Sequence, residues 1–179
     1  MPTLPELLKT PRLILRAPRP GDAACLFDAY TQDDEVTRHM VWRPHQTLLE
    51  TEAFIAYCMS CWESGAGRPY VLAFHRNQDL PIGMLEARIA QHSIDIGYVL
   101  QRACWGQGLM PEAIAALADA ALSLPDCFRV QATCHVHNTA SARTLEKSGF
   151  VREGRLERFA VLPNIGSEPA PAFMYARCR

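Results

Sequence analysis

Apolar positions along the chain repeat with two different spacings, and each spacing predicts its own kind of element. Alternating stretches rich in β-branched and aromatic residues predict strands at 13–16, 70–75, 82–90, 93–100, 128–135, 150–159 and 172–176. Apolar residues at helical spacing predict helices at about 20–30, 47–64, 109–122 and 138–148. Polar turns are expected at 76–79 and 91–92. A central meander followed by two strand–helix units predicts an α+β fold, with a mixed, largely antiparallel sheet flanked by helices.

Size and charge restrict the class of protein. The 179 residues are 49% hydrophobic and 21% charged, which suits a single domain over residues 1–179 with a substantial core. A net charge of -1 argues against a broad basic face for nucleic acid. No signal peptide and no window near the ~18 apolar residues of a membrane span is present, so we expect a cytoplasmic protein with no membrane contact. Seven cysteines without framework spacing indicate reduced thiols.

The segment Trp105-Gly106-Gln107-Gly108 places two glycines between a predicted strand and a predicted helix. Unpaired backbone N–H groups and the positive end of the helix dipole favour an anion there, and glycine lets a ligand approach the backbone closely. The similar segment Gly65-Ala66-Gly67 follows a helix and precedes a strand, which is the wrong order for an anion site. The context of the first segment therefore predicts a phosphate site between Trp105 and Leu109.

A second motif lies about thirty residues further along the chain. Asn138-x-x-Ser141 opens the predicted short helix, and Leu145-Glu-Lys-x-Gly149-Phe closes it; Asn138 suits an N-cap and Gly149 a left-handed C-terminal position. Together with Trp-Gly-x-Gly and the opening Thr-Pro-Arg-Leu-Ile-Leu-Arg, these motifs resemble the GNAT acyl-CoA-dependent N-acetyltransferases. The resemblance is to the RimJ/RimL branch of ribosomal-protein N-terminal acetyltransferases, and it spans about residues 10 to 175.

The resemblance implies a GNAT-like acyl-CoA N-acyltransferase fold with acetyl-CoA as the co-substrate. It implies that the pantetheine arm runs along Tyr98, Val99 and Leu100, and that Asn138 bonds to this arm or to a water. Ser141 would lie near the thioester sulfur. The pyrophosphate would lie on the amides of Trp105, Gly106, Gln107, Gly108 and Leu109.

The chemistry of amide formation needs a neutral amine, a donor for the oxyanion and help for the departing thiolate. The resemblance implies a backbone N–H near Val99 or Leu100 as the oxyanion donor. An N-terminal α-amine with a pKa near 7.8 is deprotonated at pH 7 at a cost of about 1 kcal/mol, whereas a lysine near 10.4 costs about 5 kcal/mol. We therefore expect the acceptor to be an N-terminal α-amine of a protein or peptide, which tolerates a distant base.

Three carboxylates are candidates for the general base: Glu86 and Asp95 on neighbouring predicted strands, and Glu157 on a later one. Glu86 is favoured because it lies among apolar residues, and burial is the usual way of tuning a carboxylate toward base chemistry at neutral pH. Many related enzymes carry a thiolate-protonating tyrosine where this chain has Leu145, so Ser141 is predicted to assist or the thiolate leaves unaided. Ala103 also stands where many members of that family carry a polar residue, at the start of the phosphate signature.

Two other pairs of residues have the spacing of metal ligands but are better explained without a metal. Cys58 and Cys61 have the spacing of half a zinc site but lie in an amphipathic helix, so we expect core packing, and His135 and His137 alone do not make a metal site. Trp42 and Tyr30 suit either the acceptor groove or the core. Two alternative functions stay open, an acetyltransferase for a small amine and a non-catalytic acyl-CoA-binding module, and the oligomeric state is also open.

Overall fold

The computed structural model describes residues 3–179, so the first two residues of the predicted domain lie outside it. Eight strands form one sheet in the order β1-β2-β3-β4-β5-β6-β8-β7. Every neighbouring pair is antiparallel except β5 and β6, which are parallel. The mixed, largely antiparallel sheet of the prediction is confirmed. The strands are β1 Leu7–Lys9, β2 Leu13–Arg16, β3 Gly67–Phe74, β4 Asn77–Ile89, β5 Ser93–Leu100, β6 Arg129–His135, β7 Val151–Val161 and β8 Pro169–Cys178.

Helices cover both faces of the sheet. They are α1 Asp22–Leu26, which continues as a π-helical turn over Phe27–Thr31, α2 Asp34–Thr37, α3 Leu48–Ser64, α4 Leu109–Leu122 and α5 Thr139–Lys147. α1 and α3 pack on one face and α4 on the other, each through its own apolar cluster. Between residues 3 and 179, no helix combines the length and the apolar character needed to cross a bilayer.

Helix α4 contributes the largest buried stripe of the fold. Its residues at helical spacing are fully buried against β-strand side chains from the centre of the sheet, and burial of this kind is the main favourable contribution to folding. On the opposite face, Cys58 of α3 packs with Val71 and Met84. Burial raises the pKa of the Cys58 thiol to about 12. Both Cys58 and Cys61 are buried free thiols, so the predicted packing role is confirmed.

The sheet parts between its two parallel strands. β5 pairs with β6 only over Ser93–Asp95, whereas its pairing with β4 continues to Leu100. The C-terminal half of β5 is thus left without β6 along one edge. On the other edge a Cβ at Gly83 would collide with the Val99 carbonyl and lie 3.1 Å from the Leu100 Cα, so only glycine permits this close approach.

Several boundaries differ from the prediction. The polar segment 76–79 is largely strand, because β4 begins at Asn77 and pairs with the end of β3. The exposed end of a hairpin carries polar side chains while its backbone pairing continues, so polarity marks exposure there rather than a strand end. The short elements β1 and α2 were not predicted, since three or four residues carry too little periodicity to detect.

Candidate active site

A cavity of about 360 Å³ opens where β5 and β6 separate, within the size range of small-molecule sites. Residues predicted to bind the cofactor line it, namely Tyr98, Val99, Leu100, Trp105, Gly106, Gly108, Leu109, Asn138 and Ser141. Two predicted site residues, Gln107 and Glu86, lie outside this lining. The structure therefore brings the glycine loop, the free half of β5 and the start of α5 around one space.

The glycine loop leads directly into α4, a helix of 14 residues. Gly106 and Gly108 both have left-handed backbones, with φ of 74° and 72°, which residues with a Cβ adopt only at a cost. A Cβ placed on Gly106 would meet no protein atom within 4 Å, so this backbone is open to a ligand. An open loop at a helix N-terminus is an arrangement that favours an anion. The glycines supply both the backbone conformation and the close approach.

Arg12 braces this loop from the start of the chain. Its Nε donates to Glu112 Oε2 at 2.7 Å and its Nη1 donates to the Gln107 carbonyl at 2.9 Å. Thr10 also donates to Glu112 Oε1, at 2.5 Å. Burial opposes ionisation of Glu112, but the hydrogen bonds from Thr10 and Arg12 outweigh it and lower the pKa of this carboxyl. Sequence reasoning missed Arg12, because no local signal links it to a loop 95 residues away.

Trp105 closes the other side of the loop. Its indole N–H donates to the Leu100 carbonyl at 2.7 Å, although 42% of the residue is exposed. This bond fixes the turn that leads from β5 into the loop. Trp105 thus supports the end of β5 while its ring forms part of the cavity wall.

Helix α5 has the two caps that its sequence predicts. Asn138 Oδ1 accepts a hydrogen bond from the Ser141 amide at 3.1 Å, and Gly149 takes the left-handed conformation with φ of 83°. The Phe150 amide returns to the Leu145 carbonyl at 3.1 Å, as in helix C-terminal motifs closed by glycine. Because Asn138 Oδ1 caps the helix, its side-chain NH₂ is the group that can serve a ligand.

A hydroxyl pair lies at the inner end of the cavity. Tyr98 Oη and Ser141 Oγ share a hydrogen bond of 2.7 Å. Burial raises the pKa of the Tyr98 phenol, although its bond with Ser141 opposes this, so the phenol keeps its proton at neutral pH. Leu145 is fully buried in the core. The phenol near Ser141 therefore comes from Tyr98 on β5, whereas α5 carries Leu145 where a tyrosine was sought. From the sequence, only a backbone role was assigned to Tyr98.

The candidate bases lie apart from this cavity. Glu86 was expected to be buried among apolar residues, but its side chain is 31% exposed and accepts from Arg88 Nη1 at 2.6 Å. The same guanidinium also pairs with Asp95. The alternation of β4 places Glu86 beside a cross-strand ion pair rather than an apolar wall, which corrects the basis of that expectation. Glu157 is paired with Arg155 at 2.7 Å on the exposed strand β7.

Other polar residues of the lining were not predicted. Arg143 and Lys147 reach the cavity from α5, and Glu35 and His39 reach it from α2 and the turn after it. Tyr30 is only 2% exposed and belongs to the core, and the half-buried Trp42 packs against the same apolar cluster. The local pattern around His39 gives no sign of a site, because the cavity forms only when α2 packs near the end of β6.

A parted sheet beside an open glycine loop and a half-buried hydroxyl pair is an arrangement that suits an acyl-CoA-dependent acyltransferase. Residues 12–151 match the family described as "Acetyltransferase (GNAT) domain", and the chain belongs to this family. It is an N-acetyltransferase that uses acetyl-CoA as the acetyl donor. The resemblance identified from the sequence is confirmed at the level of the family.

Individual relatives agree with this assignment. The "Uncharacterized N-acetyltransferase YoaA" of Bacillus subtilis (strain 168) is 26% identical over 155 residues, covering 86% of this chain and 87% of the relative. The ribosomal L7/L12 α-N-protein acetyltransferase RimL, solved with coenzyme A, has a TM-score of 0.84 at 23% identity, with coverage of 97% and 98%. The microcin C7 self-immunity acetyltransferase MccE, solved with acetyl-CoA and AMP, has a TM-score of 0.84 at 20% identity, with coverage of 94% and 93%.

Proposed function

We propose that the protein transfers the acetyl group of acetyl-CoA to an N-terminal α-amine of a protein or peptide, by direct attack of the amine on the thioester. The observation that carries the proposal is the single cavity that joins the glycine loop to the Tyr98–Ser141 pair. One end of this cavity suits a diphosphate and the other suits a departing thiolate.

The cofactor is held mainly through the main chain in this proposal. Amides from Trp105 to Leu109 bind the pyrophosphate, and the free edge of β5 near Tyr98, Val99 and Leu100 bonds to the pantetheine amides. Arg143 and Lys147 line the same cavity and add positive charge for the remaining phosphate. The Asn138 side-chain NH₂ bonds to the pantetheine arm in this proposal, because Asn138 lines the cavity and its Oδ1 is used by the helix cap.

Ser141 is proposed as the proton donor to the leaving sulfur. When the C–N bond forms and the C–S bond breaks, the sulfur takes the proton of Ser141 Oγ, Tyr98 Oη passes its proton to Ser141 across their 2.7 Å bond, and the proton lost by the amine returns to Tyr98 through water. Burial keeps the phenol protonated between turnovers, so Tyr98 can donate a hydrogen bond to Ser141. A backbone N–H near Val99 or Leu100 stabilises the oxyanion, since that edge of β5 is released from β6.

The pKa of the acceptor favours an N-terminal α-amine. A polyamine or lysine acceptor keeps its positive charge at pH 7, whereas about a tenth of an α-amine is already neutral. An N-terminal α-amine therefore reaches its reactive neutral form at the smaller free-energy cost.

A small cationic amine is the second candidate acceptor. A shallow depression beside the cavity is lined by Asp28, Asp33, Asp34 and Glu35, and such a surface attracts cations toward the entrance. One of these carboxylates, Asp33, is paired with Arg102 at 3.1 Å.

An acceptor screen separates the two candidates. The protein and acetyl-CoA are incubated with peptides that have a free N-terminus, with N-terminally blocked peptides that contain lysine, and with polyamines, and products are read by mass spectrometry. We expect acetylation of the free α-amine alone. Products confined to polyamines would overturn the acceptor class while leaving acetyl transfer intact.

Ser141→Ala tests the assigned proton donor. Loss of a general acid lowers kcat by about 100-fold or more, while the acetyl-CoA Kd from titration calorimetry should change less than about threefold, since Ser141 binds no phosphate. Tyr98→Phe should lower kcat in the same direction.

The matched control is Ser148→Ala at the C-cap of the same helix. Its hydroxyl donates to the Thr144 carbonyl at 2.8 Å and lies outside the cavity lining. This change should lower the melting temperature without a matching loss of kcat in the folded protein. Equal kcat values for the Ser141 and Ser148 variants would contradict the role of Ser141.

A further inference from the structure

Three histidines meet beside the cavity although they come from distant parts of the chain. His39 follows α2, whereas His135 ends β6 and His137 follows it. The His39 and His135 rings are stacked, with centroids 5.4 Å apart and planes at 29°, and His137 meets His135 edge-on at 5.3 Å. His39 lines the same cavity as Tyr98 and Ser141. An imidazole is thus present in the wall of the cavity that also holds the Tyr98–Ser141 pair.

A metal centre does not explain this cluster. The nitrogens of stacked imidazole rings do not converge on one point, whereas a metal ion needs ligand lone pairs that point toward it. Among residues 3–179, no three or more side chains of the metal-binding types are arranged so that they could hold a metal ion. The cluster is therefore better explained by proton chemistry.

The surroundings of His39 keep its ring neutral. Burial lowers the pKa of His39, and the nearby His135, Arg38 and His137 lower it further, while Glu35 acts in the opposite direction. Burial also lowers the pKa of His135. A neutral imidazole can accept a proton at physiological pH, which an ammonium or guanidinium group cannot.

We propose that His39 is the general base that takes the proton from the acceptor amine, with His135 as the residue that positions its ring. This inference rests on the proposed acetyl transfer. The amine nitrogen forms the new bond to the acetyl carbon, its proton passes to a ring nitrogen of His39, and the C–S electron pair leaves with the sulfur. Ser141 protonates that sulfur, and His39 releases its proton to water, which replaces the proton that the Ser141–Tyr98 pair has lost.

His39 satisfies a requirement that the predicted carboxylates do not meet. A base must reach the attacking nitrogen directly or through one water, and His39 lies in the cavity wall whereas Glu86 does not. Glu86 is also bonded to Arg88. Its role stays a prediction, and the experiment that tests His39 tests it as well.

The first test compares His39→Gln with His92→Gln at saturating acetyl-CoA and acceptor. His92 is an exposed histidine that contacts Phe128 and lies outside the cavity lining. We expect His39→Gln to lower kcat about 100-fold with an acetyl-CoA Kd within about threefold of the unchanged protein, and His92→Gln to alter neither. Added imidazole should restore part of the activity of His39→Ala.

The second test reads the pH profile of kcat, which a merely structural role would not move. The acid limb should shift to higher pH in His135→Gln, because loss of His135 removes a neighbour that lowers the pKa of His39. It should shift to lower pH in Glu35→Gln, because loss of the Glu35 charge removes a neighbour that raises the pKa of His39. The two variants should therefore shift the acid limb in opposite directions.

The outcomes separate this inference from the proposed function. An unchanged acid limb in both variants, or full kcat in His39→Gln, would overturn the role of His39. A large loss of kcat confined to Glu86→Gln would assign the base to Glu86 instead. Absence of acetyl transfer to any amine by the unchanged protein would overturn this inference and the proposed function together.

Discussion

Replacing Gly106 with alanine tests whether the backbone of the glycine loop binds the diphosphate. Gly106 has a φ of 74°, and a Cβ there would meet no protein atom within 4 Å. Gly65, at the end of α3, has a φ of 76° and equally free space around it, but it lies outside the cavity lining. The two glycines share the same backbone strain and differ only in their location, so Gly65→Ala is a matched control.

The two variants should lose similar amounts of stability. A left-handed non-glycine residue costs about 1 to 2 kcal/mol, which lowers the melting temperature of a chain of this size by about 2 to 8 °C. Only Gly106→Ala places a methyl group where a diphosphate approaches the loop amides. Loss of one hydrogen bond to a charged group costs about 1.5 to 3 kcal/mol, which corresponds to about a 10- to 150-fold weaker Kd.

Thermal melting and titration calorimetry with acetyl-CoA measure the two effects separately. We expect matched melting shifts, a Kd weakened at least about tenfold in Gly106→Ala, and a change below about threefold in Gly65→Ala. Equal Kd values in the two folded variants would refute the assignment of the phosphate to this loop.

Two further predictions concern the supports of the cavity. Gly83→Ala forces a methyl group against the backbone of Val99 and Leu100 and should destabilise the fold by about 1 to 3 kcal/mol. The control is Gly154→Ala, which should not destabilise the fold in this way because a Cβ there meets nothing within 4 Å. Similar melting temperatures for the two variants would contradict this prediction. Burial raises the pKa of Glu112, but its hydrogen bonds outweigh burial and lower the pKa overall. The ionised carboxylate therefore stabilises the fold at any pH above the ordinary pKa of glutamate, and this contribution is lost as the pH falls through the lowered pKa. Glu112→Gln should therefore melt below the unchanged protein at pH 7, and the gap should close in acid; a gap independent of pH would contradict the ion-pair role.

The parts of the site that could be predicted from the sequence depend on local interactions. The caps at Asn138 and Gly149 and the left-handed glycines of the loop each act within one turn of backbone, so residue type and order predict them. The helix that follows Gly108 is visible in the same way from its apolar spacing. These local signals also carry the family resemblance, which is why most residues predicted for the cofactor line one cavity, whereas the predicted base Glu86 does not.

The side-chain partners depend on which strands become neighbours. Tyr98 and Ser141 are 43 residues apart in the chain, and they meet because α5 packs over the parted end of β5. Glu86 shows the opposite case, since its apolar sequence neighbours face other directions in the strand while Arg88 lies beside it on the same face. Alternation predicts that a residue has two possible faces, but it does not say what the neighbouring strand presents on each.

The sequence by itself determined the order of the elements, the glycine loop at a helix N-terminus and the capped helix α5, because backbone dihedral preferences and hydrophobic periodicity act over a few residues. Only the tertiary structure decided that Arg12 braces the loop, that Tyr98 bonds to Ser141 and that His39 stacks on His135. Those contacts follow from sheet order and from the early end of pairing between β5 and β6. Both are set by how the whole core packs, which no short segment encodes.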